Sequence, residues 1–150
     1  MEITTGIIKE LREKTGVSVM QCKKALEEAE GDLAKAIIIL KKHSSLSALK
    51  KAERTLKAGT VGSYMHDCSI GAMVLLLSES DFVAKNPEFV ELARKFAMQV
   101  AAMEPESTDD FLDQPFIKDE TKTVRDLLNE ATQKFGERIE VGKFARVSVR

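Results

Sequence analysis

The spacing of apolar residues changes near residue 60, and this change restricts the possible folds more than any other feature of the chain. Before it, apolar side chains recur at the period of an α-helix in three short segments, whereas from Thr60 they alternate as in a β-strand. One repeating architecture cannot satisfy both periods. The chain is therefore predicted to be an α+β protein, in which a helical unit precedes a small antiparallel sheet packed by helices.

Three helices are predicted within residues 1–42, because each apolar segment has its own start and stop signals. Gly16 and Gly31 follow the first two segments, and glycine readily takes the left-handed conformation that commonly ends a helix. In the third segment Ile38 and Ile39 add apolar surface beyond the stripe that packing requires, which suggests a binding face. The predicted capping residues are Thr4 or Thr5 for the first helix, Ser18 for the second and Asp32 for the third.

Residues 43–58 are predicted to form a basic, partly helical linker between this unit and the rest of the chain. They contain Lys50, Lys51, Arg54 and Lys57 in a stretch that also holds serine, leucine and alanine. These side chains could contact phosphate. No aromatic residues accompany them for stacking on bases, so a solvated surface is the favoured interpretation.

The remaining residues, 59–150, are predicted to form an α+β core domain. An alternating segment, a short polar turn and the apolar run Ile70–Leu77 indicate two antiparallel strands. The second of these strands is apolar enough to be covered on both faces. A third alternating segment over residues 139–149 completes a three-stranded sheet.

Two long helices are predicted to cover this sheet. Asn86 followed by Pro87 is a typical helix start, and Thr123 with Asp126 three residues later has the spacing of a capping box. Between these helices, residues 104–119 are acidic and contain two prolines. This composition predicts a loop with at most a short helical turn.

The composition excludes several classes of protein. The 23 basic and 24 acidic side chains leave a net charge of −1, so no overall field favours nucleic acid or an anionic membrane. The longest apolar run is Ala72–Leu77, far shorter than the roughly 20 residues of a membrane-spanning helix. The first residues lack the basic start of a secretory signal. We therefore expect a cytosolic, cytoplasmic protein without direct nucleic-acid or membrane partners.

An enzyme needs convergent reactive groups, and the sequence offers few. His66 and Cys68 alternate on a predicted strand and could pair as imidazole and thiol, but no third group orients them. Cys22, His43, His66 and Cys68 lack the local ligand pairs of a structural zinc site. Neither catalysis nor a metal nor a cofactor is expected, although a small thiol enzyme is one alternative.

The connector between the second strand and the next helix is short, yet it is not uniformly polar. Phe82 and Val83 place an aromatic and a branched apolar side chain beside Asp81. Phe82 could fold back into the core of its own domain. Alternatively, a partner buries it, which would contribute roughly 1.5–3 kcal/mol from removed apolar surface.

The segment Ser80–Asn86 reads Ser-Asp-Phe-Val-Ala-Lys-Asn. It resembles the signature Thr-Asp-Phe-Val-Ala-(Arg/Lys)-Asn of the elongation factor Ts family, with serine in place of threonine, and the resemblance extends over nearly the full length of the chain. A string of ordered matches is a far stronger signal than a single motif. The further matches along the chain are Leu11–Gly16, Cys22–Leu26, Gly31–Leu33, Gly62–His66 and Phe135–Ile139.

The resemblance implies a guanine-nucleotide exchange factor for elongation factor Tu, which it would bind both with GDP and without nucleotide. Phe82 would be a wedge pushed in near the magnesium site of the partner, Asp81 its polar neighbour, and Ser80 and Val83 the residues that hold the turn. The first three helices would be a ubiquitin-associated-like domain that docks on the nucleotide-binding domain of the partner. The expected secondary contacts are Leu11, Val19, Met20, Ile38 and Ile39.

The chain also departs from the family pattern, because it lacks the duplicated second core half and the inserted helical hairpin of longer members. Resemblance to short members implies that the chain pairs with itself, through Ile70–Leu77 or the final strand. In a rival interpretation the core domain only dimerises, and the three-helix unit is an adaptor for some other helix or peptide.

Overall fold

The computed structural model describes residues 2–51 and 54–150, and for residues 47–51 it describes the backbone alone. It has the α+β architecture that the sequence predicted, with a three-helix unit followed by a mixed core domain. The helices of the first unit are α1 (Thr5–Thr15), α2 (Val19–Glu28) and α3 (Leu33–Lys51). The core domain contains β1 (Ala58–His66), β2 (Ile70–Ser78), α4 (Asp81–Ala84), α5 (Pro87–Met103), α6 (Thr108–Asp113), β3 (Pro115–Phe116), β4 (Asp119–Thr123), α7 (Val124–Phe135) and β5 (Glu140–Ser148).

The helix boundaries of the first unit follow the predicted signals. Thr4 accepts a hydrogen bond from the backbone N–H of Ile7, and Gly16 ends α1 with a φ of 70°. Ser18 caps α2, and Asp32 accepts from the backbone N–H of Lys35 at the start of α3. The apolar faces of the three helices meet in a small core of their own. Its fully or almost fully buried side chains are Leu11, Val17, Cys22, Ala25, Leu26, Ala29, Ala36 and Leu40.

Helix α3 runs without interruption through the predicted boundary between residues 42 and 43. It continues to Lys51, so the first half of the predicted linker is an extension of the third helix. The side chains of Lys50 and Lys51, for which phosphate contact was considered, lie outside the described residues. No helix within residues 2–51 and 54–150 combines the length and apolar character needed to cross a membrane.

The sheet of the core domain has the strand order β1-β2-β5, and both pairings are antiparallel. Asp67 and Cys68, with φ values of 47° and 57°, form the turn between β1 and β2 at the predicted position. Between Val74 and Leu76 the register with β5 shifts by a bulge. The two faces of this sheet differ in how much of their surface the helices cover.

The helices pack on one face of the sheet, which we call the inner face. Helix α5 contacts all three strands of this sheet, and its apolar stripe is buried there. Opposite it, Val61, Met65, Met73 and Val147 expose more than half of their surface. The prediction that β2 is covered on both faces is therefore wrong for a single chain, because the described helices pack on the inner face. The buried α5 residues are Phe89, Ala93, Phe96, Ala97, Gln99, Val100 and Ala101.

Residues 104–123 are more ordered than the predicted loop. Helix α6 is followed by the two-stranded ladder β3-β4, which the sequence analysis missed. The buried amide of Gln99 organises this segment: its Nε2 donates to the carbonyl of Pro115 (3.1 Å), and its Oε1 accepts from the N–H of Ile117 (3.0 Å). Such short strands have too few residues to show an alternating pattern.

Polar contacts join α3 to α7 and so place the three-helix unit against the core domain. Lys41 forms a salt bridge of 3.1 Å with Asp126, which also completes the predicted capping box with Thr123. Burial would raise the pKa of Asp126, but hydrogen bonds from Thr123 and the charge of Lys41 outweigh it and lower that pKa. Gln133 contacts Ser44 and, at 3.1 Å, donates to Gln21.

We predict that Gly62→Ala destabilises the core domain by about 1–3 kcal/mol. A Cβ atom at Gly62 would lie 2.2 Å from the backbone of Ala93 in α5, and neither backbone can move aside without disturbing the packing. Gly71→Ala is the control on the same sheet, because its Cβ would meet only the flexible end of Met65 at 3.3 Å. Urea unfolding of both variants measures the difference, and equal midpoints would contradict the prediction.

Candidate partner-binding surface

A single helical turn, α4, presents the segment that the sequence analysis selected. Ser80 caps it: the Ser80 hydroxyl oxygen accepts a hydrogen bond from the backbone N–H of Val83 at 3.3 Å. Asp81 supplies a negative charge in the first turn, where it favours a helix start. Asn86 then caps α5, with Pro87 in the first turn of that helix. Two capping residues so close together allow no more than one turn between them.

Phe82 points away from the core domain. It exposes 84% of its surface, more than any other large apolar side chain within the described residues. The next two residues, Val83 and Ala84, are each only 5% exposed and anchor the turn in the core. The alternative in which Phe82 folds back into its own domain is therefore wrong. The other predicted residues of the segment, Ser80, Asp81 and Val83, cap, flank and anchor the turn.

The carboxylate of Glu137 binds the chain immediately before this turn. Its Oε1 accepts from the backbone N–H groups of Glu79 (3.1 Å) and Ser80 (3.0 Å), and its Oε2 accepts from the Ser80 hydroxyl (2.6 Å). In return, the side chain of Glu79 accepts from the backbone N–H of Arg138 at 2.8 Å. We call residues 79–84 the binding turn. Sequence reasoning assigned no role to Glu137, and the only signal was its place within the matched segment Phe135–Ile139.

Arg54, at the end of the linker, also reaches this region. Its guanidinium lies 3.6 Å from the Glu79 carboxylate and donates to the carbonyl of Gly136 at 3.3 Å. The guanidinium of Arg138 donates to the carbonyl of Arg54 and also pairs with Glu140 at 2.6 Å. The binding turn is thus supported from the linker as well as from the segment before β5.

The three-helix unit offers a second exposed apolar surface. Val19, Met20 and Ile38 are at least half exposed, while Ile39 is partly buried against the core of the unit. Leu11 is fully buried in that core. Its side chain therefore offers no surface to a partner, and we withdraw it from the expected contacts because its role is to hold the three helices together.

Cys22 and His43 lie in the three-helix unit, whereas His66 and Cys68 lie at the turn between β1 and β2 of the core domain. His66 lies 3.1 Å from the hydroxyl of Tyr64, whereas Cys68 is exposed in the hairpin turn rather than on the strand. Cys22 is buried in the three-helix unit, and its thiol contacts the carbonyl of Val17. Among the residues that the structure describes, no group of three or more histidine, cysteine, aspartate or glutamate side chains could hold a metal ion.

These features define a protein that presents exposed apolar side chains on well-supported turns and helices. Comparison with known proteins identifies the family. The family model described as Elongation factor TS matches residues 79–150, which include the binding turn and Glu137. Together with relatives that are 38% and 39% identical over nearly the whole chain, this match shows that the chain belongs to the elongation factor Ts family.

Relatives are similar over nearly the whole chain. Elongation factor Ts of Oleidesulfovibrio alaskensis is 38% identical over 190 positions, covering 96% of this chain and 96% of the relative. The protein of the same name from Thermodesulfovibrio yellowstonii is 39% identical, covering 99% and 97%. That of Thermotoga maritima is 37% identical, covering 99% and 97%. Since an alignment of 190 positions exceeds the 150 residues of this chain, the relatives contain residues that have no counterpart here.

We predict that Phe82→Ala leaves the free energy of unfolding within about 0.5 kcal/mol of the unmodified protein, since exposed side chains contribute little to folding. Phe89→Ala is the matched control, because the same truncation at a fully buried phenylalanine costs about 3–5 kcal/mol. Denaturant unfolding compares the two variants. A large loss of stability in Phe82→Ala would mean that the ring packs within its own domain.

Proposed function

We propose that this protein is a guanine-nucleotide exchange factor for elongation factor Tu and acts in the cytoplasm during translation elongation. Membership of the elongation factor Ts family supports this proposal. The observation that carries it is the exposure of Phe82 on a turn anchored by its neighbours. An exposed aromatic side chain on a supported turn is suited to enter another protein rather than to catalyse a reaction, so we do not propose an enzyme.

In the proposed mechanism, Phe82 enters the partner near its magnesium and phosphate site. Burial of the phenylalanine ring contributes roughly 1.5–3 kcal/mol, which is enough to make Phe82 a hot spot of the interface. Asp81 lies beside the ring as its polar neighbour, while Ser80 and Val83 hold the turn. The displaced partner segments then bind magnesium and phosphate less well.

Thermodynamic linkage explains how such a contact releases nucleotide. A factor that binds nucleotide-free elongation factor Tu more tightly than the GDP-bound form must weaken GDP binding by the same ratio. Incoming GTP weakens the binding of the factor by the same reciprocity. In this cycle the chain makes and breaks no covalent bond.

The three-helix unit is proposed to dock on the nucleotide-binding domain of the same partner, as a ubiquitin-associated-like domain. Its exposed side chains Val19, Met20 and Ile38 lie on the surface available for this contact, with Ile39 partly exposed beside them. Two contact surfaces in one chain place Phe82 at a defined position on the partner. Binding through two linked sites also raises affinity without any new contact at either one.

We further propose that two copies of this chain associate through the outer face of the sheet, which is the face opposite the helices. Met65, Met73 and Val147 border a mainly apolar depression on this face, and Val61 exposes a further apolar side chain on it. A surface of this kind is uncommon on a protein that remains alone in solution. The same face includes both strands that the sequence analysis selected for self-association.

We predict that Phe82→Ala slows stimulated GDP release from elongation factor Tu roughly tenfold or more, since loss of a hot-spot aromatic costs at least about 2 kcal/mol. Asp81→Ala should slow release less, because an exposed polar neighbour contributes less than a buried ring. Release is measured with fluorescent GDP and a range of factor concentrations. Cys68→Ala, at an exposed turn residue, is the control and should not change the rate.

Two outcomes would contradict this prediction. If the unmodified protein does not accelerate GDP release, the exchange function is wrong and the adaptor interpretation of the three-helix unit gains support. If the protein accelerates release and folded Phe82→Ala does so equally well, the exchange function stands but the role of Phe82 is wrong.

We predict that Met73→Glu shifts the protein from dimer to monomer, because a buried carboxylate without a partner is costly in an apolar interface. Val90→Glu is the control, since Val90 is also exposed but lies on helix α5. Light scattering after size-exclusion chromatography measures the mass of each variant. A monomeric unmodified protein at high concentration would overturn the dimer proposal.

A further inference from the structure

Glu137 connects two distant parts of the chain at the base of the binding turn. Its carboxylate accepts three hydrogen bonds, two from the backbone N–H groups of Glu79 and Ser80 and one from the Ser80 hydroxyl. The last of these, at 2.6 Å, has the short length typical of a hydroxyl bonded to a charged carboxylate. One side chain thus fixes both the backbone and the capping residue that begin α4.

The contact between the segments around Glu79 and Glu137 consists of hydrogen bonds in both directions. While the backbone of Glu79 donates to the side chain of Glu137, the side chain of Glu79 accepts from the backbone N–H of Arg138. Two hydrogen bonds, with one donor on each segment, restrict both the separation and the relative orientation of the two segments. The segment before β5 therefore determines the direction in which the binding turn leaves β2.

The Ser80 hydroxyl transmits this restriction to the helical turn itself. It donates to Glu137 and accepts from the backbone N–H of Val83, so the cap of α4 can be satisfied only in one orientation of the Ser80 side chain. Phe82 lies within that turn but makes none of these bonds. Glu137 can therefore act on Phe82 only through Ser80 and the turn backbone.

Val83 and Ala84 anchor the far end of the turn independently of Glu137. Both are buried in the core domain, whereas Phe82 is exposed. If the carboxylate were removed, these anchors would keep the fold, while the start of the turn would lose three of its bonds. The ring of Phe82 would then sample more orientations, and binding would have to restrict them again.

We propose that Glu137 is a positioning residue that preorganises Phe82 for insertion into elongation factor Tu. This inference rests on the proposed exchange function and adds the residue that makes the Phe82 contact efficient. Preorganisation raises affinity by reducing the conformational entropy lost on binding. Loss of Glu137 should thus weaken productive binding while the contact surface itself remains chemically unchanged.

Two variants of Glu137 and one control test the proposal. Glu137→Ala removes all three accepted bonds, whereas Glu137→Gln keeps an oxygen that can accept from both backbone N–H groups but lacks the charge. Glu120→Ala removes an exposed carboxylate from β4 in the same domain and serves as the control. Circular dichroism and urea unfolding first establish that each variant folds.

The first measurement uses the isolated protein and does not depend on any partner. Hydrogen exchange of the Glu79 and Ser80 amides should be roughly tenfold faster in Glu137→Ala than in the unmodified protein, since both amides lose their acceptor. In Glu137→Gln the exchange rate of these amides should be intermediate, and in Glu120→Ala it should equal that of the unmodified protein. Unchanged protection of these two amides in Glu137→Ala would overturn the proposal.

The second measurement is stimulated GDP release from elongation factor Tu over a range of factor concentrations. Glu137→Ala should raise the concentration needed for half-maximal stimulation roughly tenfold, the change that corresponds to 1.4 kcal/mol of binding free energy. The maximal rate should fall less, because Phe82 is still present. Glu137→Gln should recover much of the lost activity, a rescue that general damage to the fold would not allow.

Different results would contradict the exchange function and the positioning role of Glu137. If Phe82→Ala loses stimulation but folded Glu137→Ala matches the unmodified protein, the positioning role is wrong and the exchange mechanism stands. If the unmodified protein has no effect on GDP release, the exchange function and the role of Glu137 in it are both wrong. Should Glu137→Ala fail to fold, Glu137→Gln is tested by the same two measurements. Reduced protection of the Glu79 and Ser80 amides together with a raised half-maximal concentration would support the proposal, and values equal to those of the unmodified protein would overturn it.

Discussion

Helix α5 lies against strand β1 at backbone distance, and the position of the binding turn depends on that contact. It is possible only because Gly62 has no side chain where the two backbones meet. Since the binding turn is the short connection between β2 and α5, the packing of this helix fixes one end of the turn. Glu137 fixes the other end from the segment before β5. Phe82 is held outward between these two restraints.

The two surfaces proposed to contact the partner lie on units with separate cores. Apolar packing holds each unit together, whereas the described contacts between α3 and α7 include several polar ones, such as the salt bridge between Lys41 and Asp126. Arg54 adds a connection from the linker to the base of the binding turn. The placement of one surface relative to the other therefore depends in part on polar contacts.

The proposed activity suits a chain that presents surfaces rather than a reactive cavity. An exchange factor has only to bind one state of its partner more tightly than another, and an aromatic ring on a supported turn can supply that difference. The outer face of the sheet is a third exposed surface, for which we propose a different role. This face is apolar, and the relatives contain residues that have no counterpart in this chain. Both observations support the proposed association of two copies.

The sequence by itself determined where most of the longer helices and strands begin and end, because caps, glycines and apolar spacing act within a few residues. The end of α3 is an exception, since that helix continues past residue 42 to Lys51. Thr123 with Asp126 predicted a capping box that the structure contains, and the period of the apolar residues separated the helical unit from the sheet. The short strands β3 and β4 escaped prediction, since they have too few residues to show a period. Only the tertiary structure decided that Phe82 is exposed, that Leu11 is buried, and that Glu137 supports a turn 57 positions away. The exposure of a side chain and its long-range hydrogen bonds depend on how distant segments pack, and a local pattern of residues does not predict that packing.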